Sequence, residues 1–258
     1  MVGRSSKPPE VPSNVAVPEF PEFREYSSPP CFMHELGPNF INPEAETRLS
    51  EPCASEISAS DWLSVRRWRK ETRATLIERR VSISARDRAI WSERISLALE
   101  AVLSSATGTS IGFYWPYRGE FDARPLLTEL RNRGARLALP VVVEKACPLQ
   151  FRAWSPGDRM IRGIWNIPVP AEAETVNPDV LIVPLVGFDP AGYRLGYGGG
   201  FYDRTIVSRP TKPLVIGVGF ALAQLATIYP QSHDVPMDAV VTEKGVWQTR
   251  VDPAARVG

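Results

Sequence analysis

Cysteine, histidine, net charge and long apolar runs are all scarce in this chain of 258 residues. Its three cysteines, Cys31, Cys53 and Cys147, lie far apart and form no CxxC pair. That excludes a disulfide framework and a structural zinc site, and fits a reducing compartment. Cys31 and His34 are close in sequence but have no second ligand pair within range. Thirty basic against 29 acidic side chains leave a formal net charge of +1, so no global field draws the chain to nucleic acid or to an anionic membrane. No run of about 18 apolar residues occurs, and the N-terminus lacks the apolar region of a signal peptide. The cytoplasm is the expected compartment, with neither nucleic acid nor membrane as partner. Hydrolase signatures are missing too: His233 and Asp234 are adjacent, but no GxSxG elbow accompanies them, and the pair reads as structural or loop-closing.

A hydrophobic content of 43% allows a substantial core. Residues 1–58 do not contribute an obvious part of it: they are rich in Pro, Ser and Glu and show no helical or strand period. Such a segment buries too little apolar surface to offset its ordering entropy. It carries Phe20, Phe23, Tyr26, Phe32 and Met33, so two readings stay open, a disordered tail and an arm that packs on its own domain or on a partner. The second region, 59–258, has the regular patterning of a folded domain.

In that region Ser60 or Asp61 can cap a helix through WLSVRRWRKETRATLIERR, with Trp62, Val65, Trp68, Leu76 and Ile77 on one side and arginines on the other. Ser84 followed by Asp87 resembles a capping box for a second helix, whose buried side is expected to hold Ile90, Trp91, Ile95, Leu97 and Leu99. Strand-like runs then alternate with helical ones: SIGFYWP (110–116), a helix from Asp122 to near Gly134, RLALPVVV (136–143), LQFRAW (149–154) and DVLIVPLVGFD (179–189). A helix near Phe201, PLVIGVGF (213–220), a helix from Ala221 and AVVTE (239–243) follow. Apolar runs without alternation mark strands covered on both faces. The expected fold is α/β, a mainly parallel sheet sandwiched by helices.

The stretch RLGYGGGFYDR (194–204) places four glycines in five positions directly after one of the most hydrophobic segments. Ligands of open α/β sheets bind beyond the carboxyl ends of strands, where glycines let the backbone approach and turn N–H groups toward a guest. With Arg194 and Arg204 beside it and Asp203 able to hold a metal, the expected guest is a phosphate. The spacing fits neither common nucleotide loop. Gly196, Gly198, Gly199 and Gly200 are too crowded for GxGxxG, and no GK[ST] occurs.

The segment VPLVGFDPAGYRLGYGGGFYDR resembles the signature of the 5-formyltetrahydrofolate cyclo-ligase family. The likeness runs from about Trp68 to Thr242 and takes in RKETRATLIERRVSIS, YWPYRGEFD, WNIP and HDVPMDAVVTE in the family's order. It implies an α/β sandwich of the sugar-phosphate isomerase and CoA-transferase type. It also implies an enzyme that uses ATP and Mg2+ to turn 5-formyltetrahydrofolate into 5,10-methenyltetrahydrofolate, releasing ADP and phosphate.

The resemblance assigns roles by position. Arg194 and Tyr202 are the expected catalytic residues. ATP is expected to meet Lys70, Arg73, Arg194, Leu195, Gly196, Tyr197, Gly198, Gly199, Gly200, Phe201 and Tyr202, with Arg69 as the alternative to Lys70 and with Arg80 at a further basic position. The folate is expected at Trp115, Glu120, Trp165, Tyr197, Gly198, Gly199, Gly200 and Phe201, and Mg2+ at Asp203 and Asp238. WNIP departs from the frequent GIPEP form through Asn166 and Val169. Two other functions remain open: a related α/β enzyme acting on a sugar phosphate or CoA ester, and a non-catalytic folate- or nucleotide-binding protein.

Overall fold

The computed structural model describes residues 61–104 and 108–248. The Pro-rich extension, with Cys31, His34 and Ser60, lies outside the described residues, as does the C-terminal end.

Two long helices open the described region. Helix α1 (Trp62–Val81) starts at Asp61, whose carboxylate accepts from the Ser64 N–H. Helix α2 (Ala85–Val102) starts at Ser84, whose hydroxyl accepts from the Asp87 N–H at 3.1 Å while donating to the Asp87 carboxylate at 2.7 Å. The expected capping pair forms. Its return bond runs between side chains instead of to the cap N–H.

An alternation of strands and helices follows, comprising β1 (Ser110–Gly112), α3 (Arg124–Asn132), β2 (Arg136–Val141), β3 (Gln150–Ala153), β4 (Met160–Arg162), β5 (Pro168–Pro170) and β6 (Thr175–Val176). After these come β7 (Val180–Pro184), β8 (Gly187–Phe188), β9 (Arg194–Leu195), α4 (Phe201–Val207), β10 (Leu214–Val218), β11 (Ala239–Thr242) and β12 (Gly245–Gln248). The main sheet has eight strands in the order β12-β11-β10-β7-β1-β2-β3-β6. From β11 to β2 every neighbouring pair is parallel, while β12 and β3 pair antiparallel with their neighbours. The fold is α/β.

Helices cover both faces of this sheet. One core gathers Ile95 and Leu99 of α2, Leu127 of α3, and Ile111, Ile182, Ile216 and Val241 from four strands. The other gathers Phe151, Leu181, Val183, Val215, Val240 and Ile206 of α4. The residues of the parallel strands therefore point alternately into two apolar layers, which is why their sequences are continuously hydrophobic.

Several expectations need correction. Ile90 and Leu97 do not face the core of α2: they are 39% and 64% exposed, because Ile95 and Leu99 already fill the stripe that meets the sheet. The run 179–189 is two strands, since the chain leaves the sheet after Pro184 to form a small β8–β9 hairpin. No α-helix starts at Ala221; Ala221–Ala223 is a single 3₁₀ turn. Most consequential, the arginines of α1 do not all lie on its outer face. Arg69 and Arg80 are 6% and 5% exposed and stand on the same stripe as Val65 and Leu76.

Candidate functional site

The glycine stretch starts inside the protein and ends at a helix. Arg194 and Leu195 form β9, both buried, with Leu195 packed in a small core with Leu76 of α1, Val186 and Ile228. Gly196–Gly200 make the turn, and α4 begins at Phe201. Gly198 and Gly200 have φ of +96° and +61°. A side chain at Gly198 would be strained by this backbone conformation, so glycine is favoured there, and it lies in contact distance of the Arg73 guanidinium.

Two arginines bond this turn and a third flanks it. Arg73 Nε donates to the Gly196 carbonyl at 2.7 Å, and Arg204 donates to the Gly199 carbonyl. Arg194 lies with its guanidinium over the Tyr202 ring, 5.7 Å from the ring centre, and donates to the Val235 carbonyl at 3.3 Å. Its Nη2 is 3.0 Å from Asp203 Oδ1, an ion-pair distance at an angle that makes no hydrogen bond. Arg194 Nη2 and Arg204 Nε are thus buried donors without a hydrogen-bond acceptor among the described residues. Buried donors normally find acceptors; two orphans beside one glycine turn suit an anion that supplies them. Burial and the neighbouring Arg69 push the Arg73 guanidinium down to about 10, which leaves it charged at neutral pH.

Glu120 meets the same turn from another element. It lies beyond the carboxyl end of β1, and its Oε2 accepts from the Tyr117 N–H at 2.9 Å. Its Oε1 accepts from the Tyr197 hydroxyl at 2.7 Å. Tyr197 in turn accepts from Arg80 Nη2 at 2.6 Å, and Arg80 Nη1 lies 3.6 Å from Glu120 Oε1. Tyr197 is 39% exposed overall, yet its hydroxyl end sits inside this network. Burial pushes the Glu120 carboxyl up to about 7, against the pull of Arg80, the Tyr197 hydroxyl and the Tyr117 N–H. Burial also raises the phenols of Tyr197 and Tyr202, and Glu120 adds to both, so neither ionises at neutral pH.

The Glu120 shift has a stability consequence. A folded-state pKa of about 7, above the ordinary 4.5, means that the folded protein holds the proton more tightly than the unfolded chain. Stability from this group is therefore full below the unfolded value and is lost as pH rises through about 4.5 to 7, by about 3 kcal/mol in all. Glu120→Gln lacks this loss. The variant's Tm relative to wild type should rise steadily between mildly acidic and mildly alkaline buffer; a difference independent of pH would place Glu120 at its ordinary pKa.

The aromatic candidates differ in setting. Trp115 is partly buried, and the Arg124 guanidinium lies 4.3 Å from its ring centre while pairing with Asp122, so one face of that indole is covered. Trp165 is 39% exposed and meets Phe201, the first residue of α4, edge-on at 5.7 Å. Trp165 and Asn166 have φ of +56° and +61°. Two consecutive left-handed non-glycine residues cost roughly 1–3 kcal/mol each, and such strain concentrates at functional sites.

The basic and acidic candidates also separate. Arg69 is withdrawn from any ligand: it donates to the Ile228 and Tyr229 carbonyls at 3.0 and 2.8 Å and pairs with Asp234 at 2.5 Å. Asp234, which also accepts from the Gln231 N–H at 2.7 Å, closes its loop onto α1. Lys70, one turn before Arg73, is exposed.

Asp203 is partly exposed, and both its contacts, to Arg194 and to the Val235 N–H at 3.1 Å, use Oδ1. Asp238 sits where β11 begins, bonded to the Val215 N–H and to Lys212, each at 2.9 Å. That is the amino end of the strands, whereas the glycine turn follows the carboxyl end of β7. Among the described residues no three Asp, Glu, His or Cys side chains gather into a metal cage. Mg2+ carried by phosphates needs only one or two carboxylates, and Asp203 suits that; Asp238 is committed to starting β10.

Sequence reasoning missed the position of Arg80. The spacing Val65, Arg69, Leu76, Arg80 offered a signal, since it puts two arginines on the apolar stripe of an amphipathic helix. The β4–β5 hairpin that presents Trp165 was also unforeseen.

Comparison with known proteins places the fold and the family. The chain is 37% identical over 150 residues to the 5-formyltetrahydrofolate cyclo-ligase of Escherichia coli K12, covering 54% of this chain and 80% of that protein. It is 34% identical over 188 residues to the enzyme of that name from Mycolicibacterium smegmatis, covering 69% and 95%. The solution structure of Aquifex aeolicus 5,10-methenyltetrahydrofolate synthetase superposes with a TM-score of 0.62 at 31% identity, over 70% of this chain and 93% of that one. The Mycoplasma pneumoniae synthetase shares the fold, with a TM-score of 0.57 at 21% identity. Residues 65–243, which hold all but the first three residues of α1, Glu120 and the whole glycine turn, match the family model, and the chain belongs to the 5-formyltetrahydrofolate cyclo-ligase family.

Proposed function

We propose that this enzyme converts 5-formyltetrahydrofolate into 5,10-methenyltetrahydrofolate with consumption of MgATP and release of ADP and phosphate. The observation that carries this reading is the 2.7 Å bond from the Tyr197 hydroxyl to Glu120, which joins a glycine turn with unsatisfied buried donors to a buried carboxylate. An anion held by the turn and a heterocycle held by the carboxylate would then lie side by side, as transfer of a phosphoryl group between them requires.

A formamide carbonyl is too poor an electrophile for N10 to close the ring unaided. Transfer of the γ-phosphoryl group to the formyl oxygen breaks the bond to the ADP leaving oxygen and gives an N5 iminium phosphate. Attack by N10 forms the second carbon–nitrogen bond, N10 gives up its proton, and expulsion of phosphate leaves the methenyl cation. No side-chain nucleophile is needed, so the protein's work is alignment and charge neutralisation in a site with little water.

In this scheme Arg73, Arg194 and the backbone of Leu195–Tyr202 bind the nucleotide phosphates, with Lys70 reaching in from the exposed side of α1. Arg194 and Tyr202 act at the transferring phosphoryl group, Arg194 as a charge and Tyr202 as a neutral donor. Glu120 accepts hydrogen bonds from the pterin ring, while Trp115, Trp165 and Phe201 border it and Gly198–Gly200 keep its approach open. Asp203 would hold a Mg2+ carried by the nucleotide, which would neutralise phosphate charge; Asp238 could join it only by giving up Lys212.

The test is the near-ultraviolet absorbance of methenyltetrahydrofolate after mixing the protein with 5-formyltetrahydrofolate. A rise that requires both ATP and Mg2+ is expected. No rise with folded protein would sink the reading and leave the turn as an anion site for another reaction.

A further inference from the structure

Arg80 occupies the last turn of α1 and is 5% exposed. Its Nε donates to the Arg118 carbonyl at 3.0 Å, its Nη1 to the Leu185 carbonyl at 2.9 Å and its Nη2 to the Tyr197 hydroxyl at 2.6 Å. Nη1 also lies 3.6 Å from Glu120 Oε1. One planar fork thereby ties together the loop after β1, the segment after β7 and the glycine turn. An ammonium could supply the charge but could not make these divergent contacts together.

The remaining groups around Glu120 leave Arg80 without a substitute. Tyr114, Tyr197 and Tyr202 are acids whose phenols are raised by burial first and by Glu120 second. Arg88 of α2 is turned to the Gly119 and Arg80 carbonyls at 2.5 and 2.7 Å, and the Arg118 guanidinium stacks 5.2 Å from the Tyr117 ring centre. Among the described residues Arg80 alone forms an ion pair with Glu120.

We propose that Arg80 is a positioning residue for the folate side of the site: it fixes the Glu120 carboxyl and the Tyr197 hydroxyl as one preformed acceptor–donor pair, and so sets affinity for the reduced folate without touching it. This rests on the reading that Glu120 faces the pterin. A nucleotide-side role is disfavoured, because the guanidinium is used up on Arg118, Leu185, Tyr197 and Glu120.

The experiment is calorimetric titration of 5-formyltetrahydrofolate, without nucleotide, into wild type, Arg80→Met and Arg80→Lys between about pH 6 and about pH 9, with a parallel titration of ATP. Wild-type folate binding is expected to strengthen as Glu120 ionises, with a midpoint near about 7. In Arg80→Met the midpoint should move up by about 1 unit or more, and folate affinity at neutral pH should fall about tenfold, with ATP affinity within about twofold. Arg80→Lys should bring the midpoint back toward wild type but leave affinity reduced even in alkaline buffer, because it restores the charge and not the fork.

An unmoved midpoint in Arg80→Met, or equal losses for folate and ATP, would overturn the proposal. If Arg80→Met does not fold, Arg80→Lys decides: weakened folate binding with unchanged ATP binding supports positioning, and unchanged binding of both overturns it. Folate binding by wild type that ignores pH would instead overturn the underlying assignment of Glu120, and the proposal with it.

Discussion

Asp203→Asn is expected to lower ATP-dependent turnover by about two orders of magnitude or more, while the protein stays folded. Asparagine keeps an oxygen that can accept from the Val235 N–H, so the contact between α4 and the segment before β11 survives. What it removes is charge. On the proposed reading Mg2+ would lose its carboxylate, and the buried Arg194 guanidinium, 3.0 Å away, loses its counter-ion. The loss should therefore grow at low Mg2+ and be only partly recovered at high Mg2+, and the uncompensated Arg194 charge should lower Tm by a few degrees without unfolding the protein. Asp238→Asn supplies the contrast. Its carboxylate caps the start of β10 and pairs with Lys212, so the larger change there should be in thermal stability. Wild-type turnover and Mg2+ dependence in Asp203→Asn would remove Asp203 from the site.

The largest stability effect is expected at Arg69. Its pairing with Asp234 is almost fully enclosed, with side chains 7% and 10% exposed, and its remaining donors satisfy the Ile228 and Tyr229 carbonyls. Arg69→Ala takes the cation from the buried Asp234 carboxylate, which keeps the Gln231 N–H as a donor, and removes one donor each from the Ile228 and Tyr229 carbonyls. Breaking one side of such a pair costs about 3–5 kcal/mol. For a domain of this size that corresponds to a Tm lowered by roughly 6–20 °C. Lys70→Ala, one residue along on an exposed position, should stay within about 0.5 kcal/mol of wild type. Equal Tm values for the two variants would show that Arg69 is not the clasp between α1 and the loop at Asp234. The comparison also separates structural from ligand-facing arginines on one helix, since the Arg69 change should act on unfolding before it acts on catalysis.

Much of the fold was legible. The parallel strands announce themselves by apolar runs such as VLIVP and LVIGV, because both faces of the sheet are covered and no polar alternation is needed. The capping residues Asp61 and Ser84 bond the N–H groups that helix starts leave open. The glycine turn was legible because its composition has few other uses, and the acids and aromatics around it came from family likeness. Short antiparallel pieces were not. Strands of two or three residues, such as those of the β8–β9 hairpin and the pair that presents Trp165, carry too few residues to show a period.

By itself the sequence determined the α/β class, the loop that can receive an anion and the family to which the chain belongs. Those features are local patterns, written in periodicity, caps and a run of glycines. Only the tertiary structure decided which charges serve which purpose. Arg69, Arg73 and Arg80 share one helix, yet the first clasps a loop, the second holds the glycine turn and the third lies beside Glu120. Asp203 and Asp238 are both acids near a buried segment, yet one adjoins Arg194 and the other starts a strand. The reason is that burial and pairing set the work of a charged group, and both depend on partners that lie 23 residues away for Asp238 and 165 for Arg69.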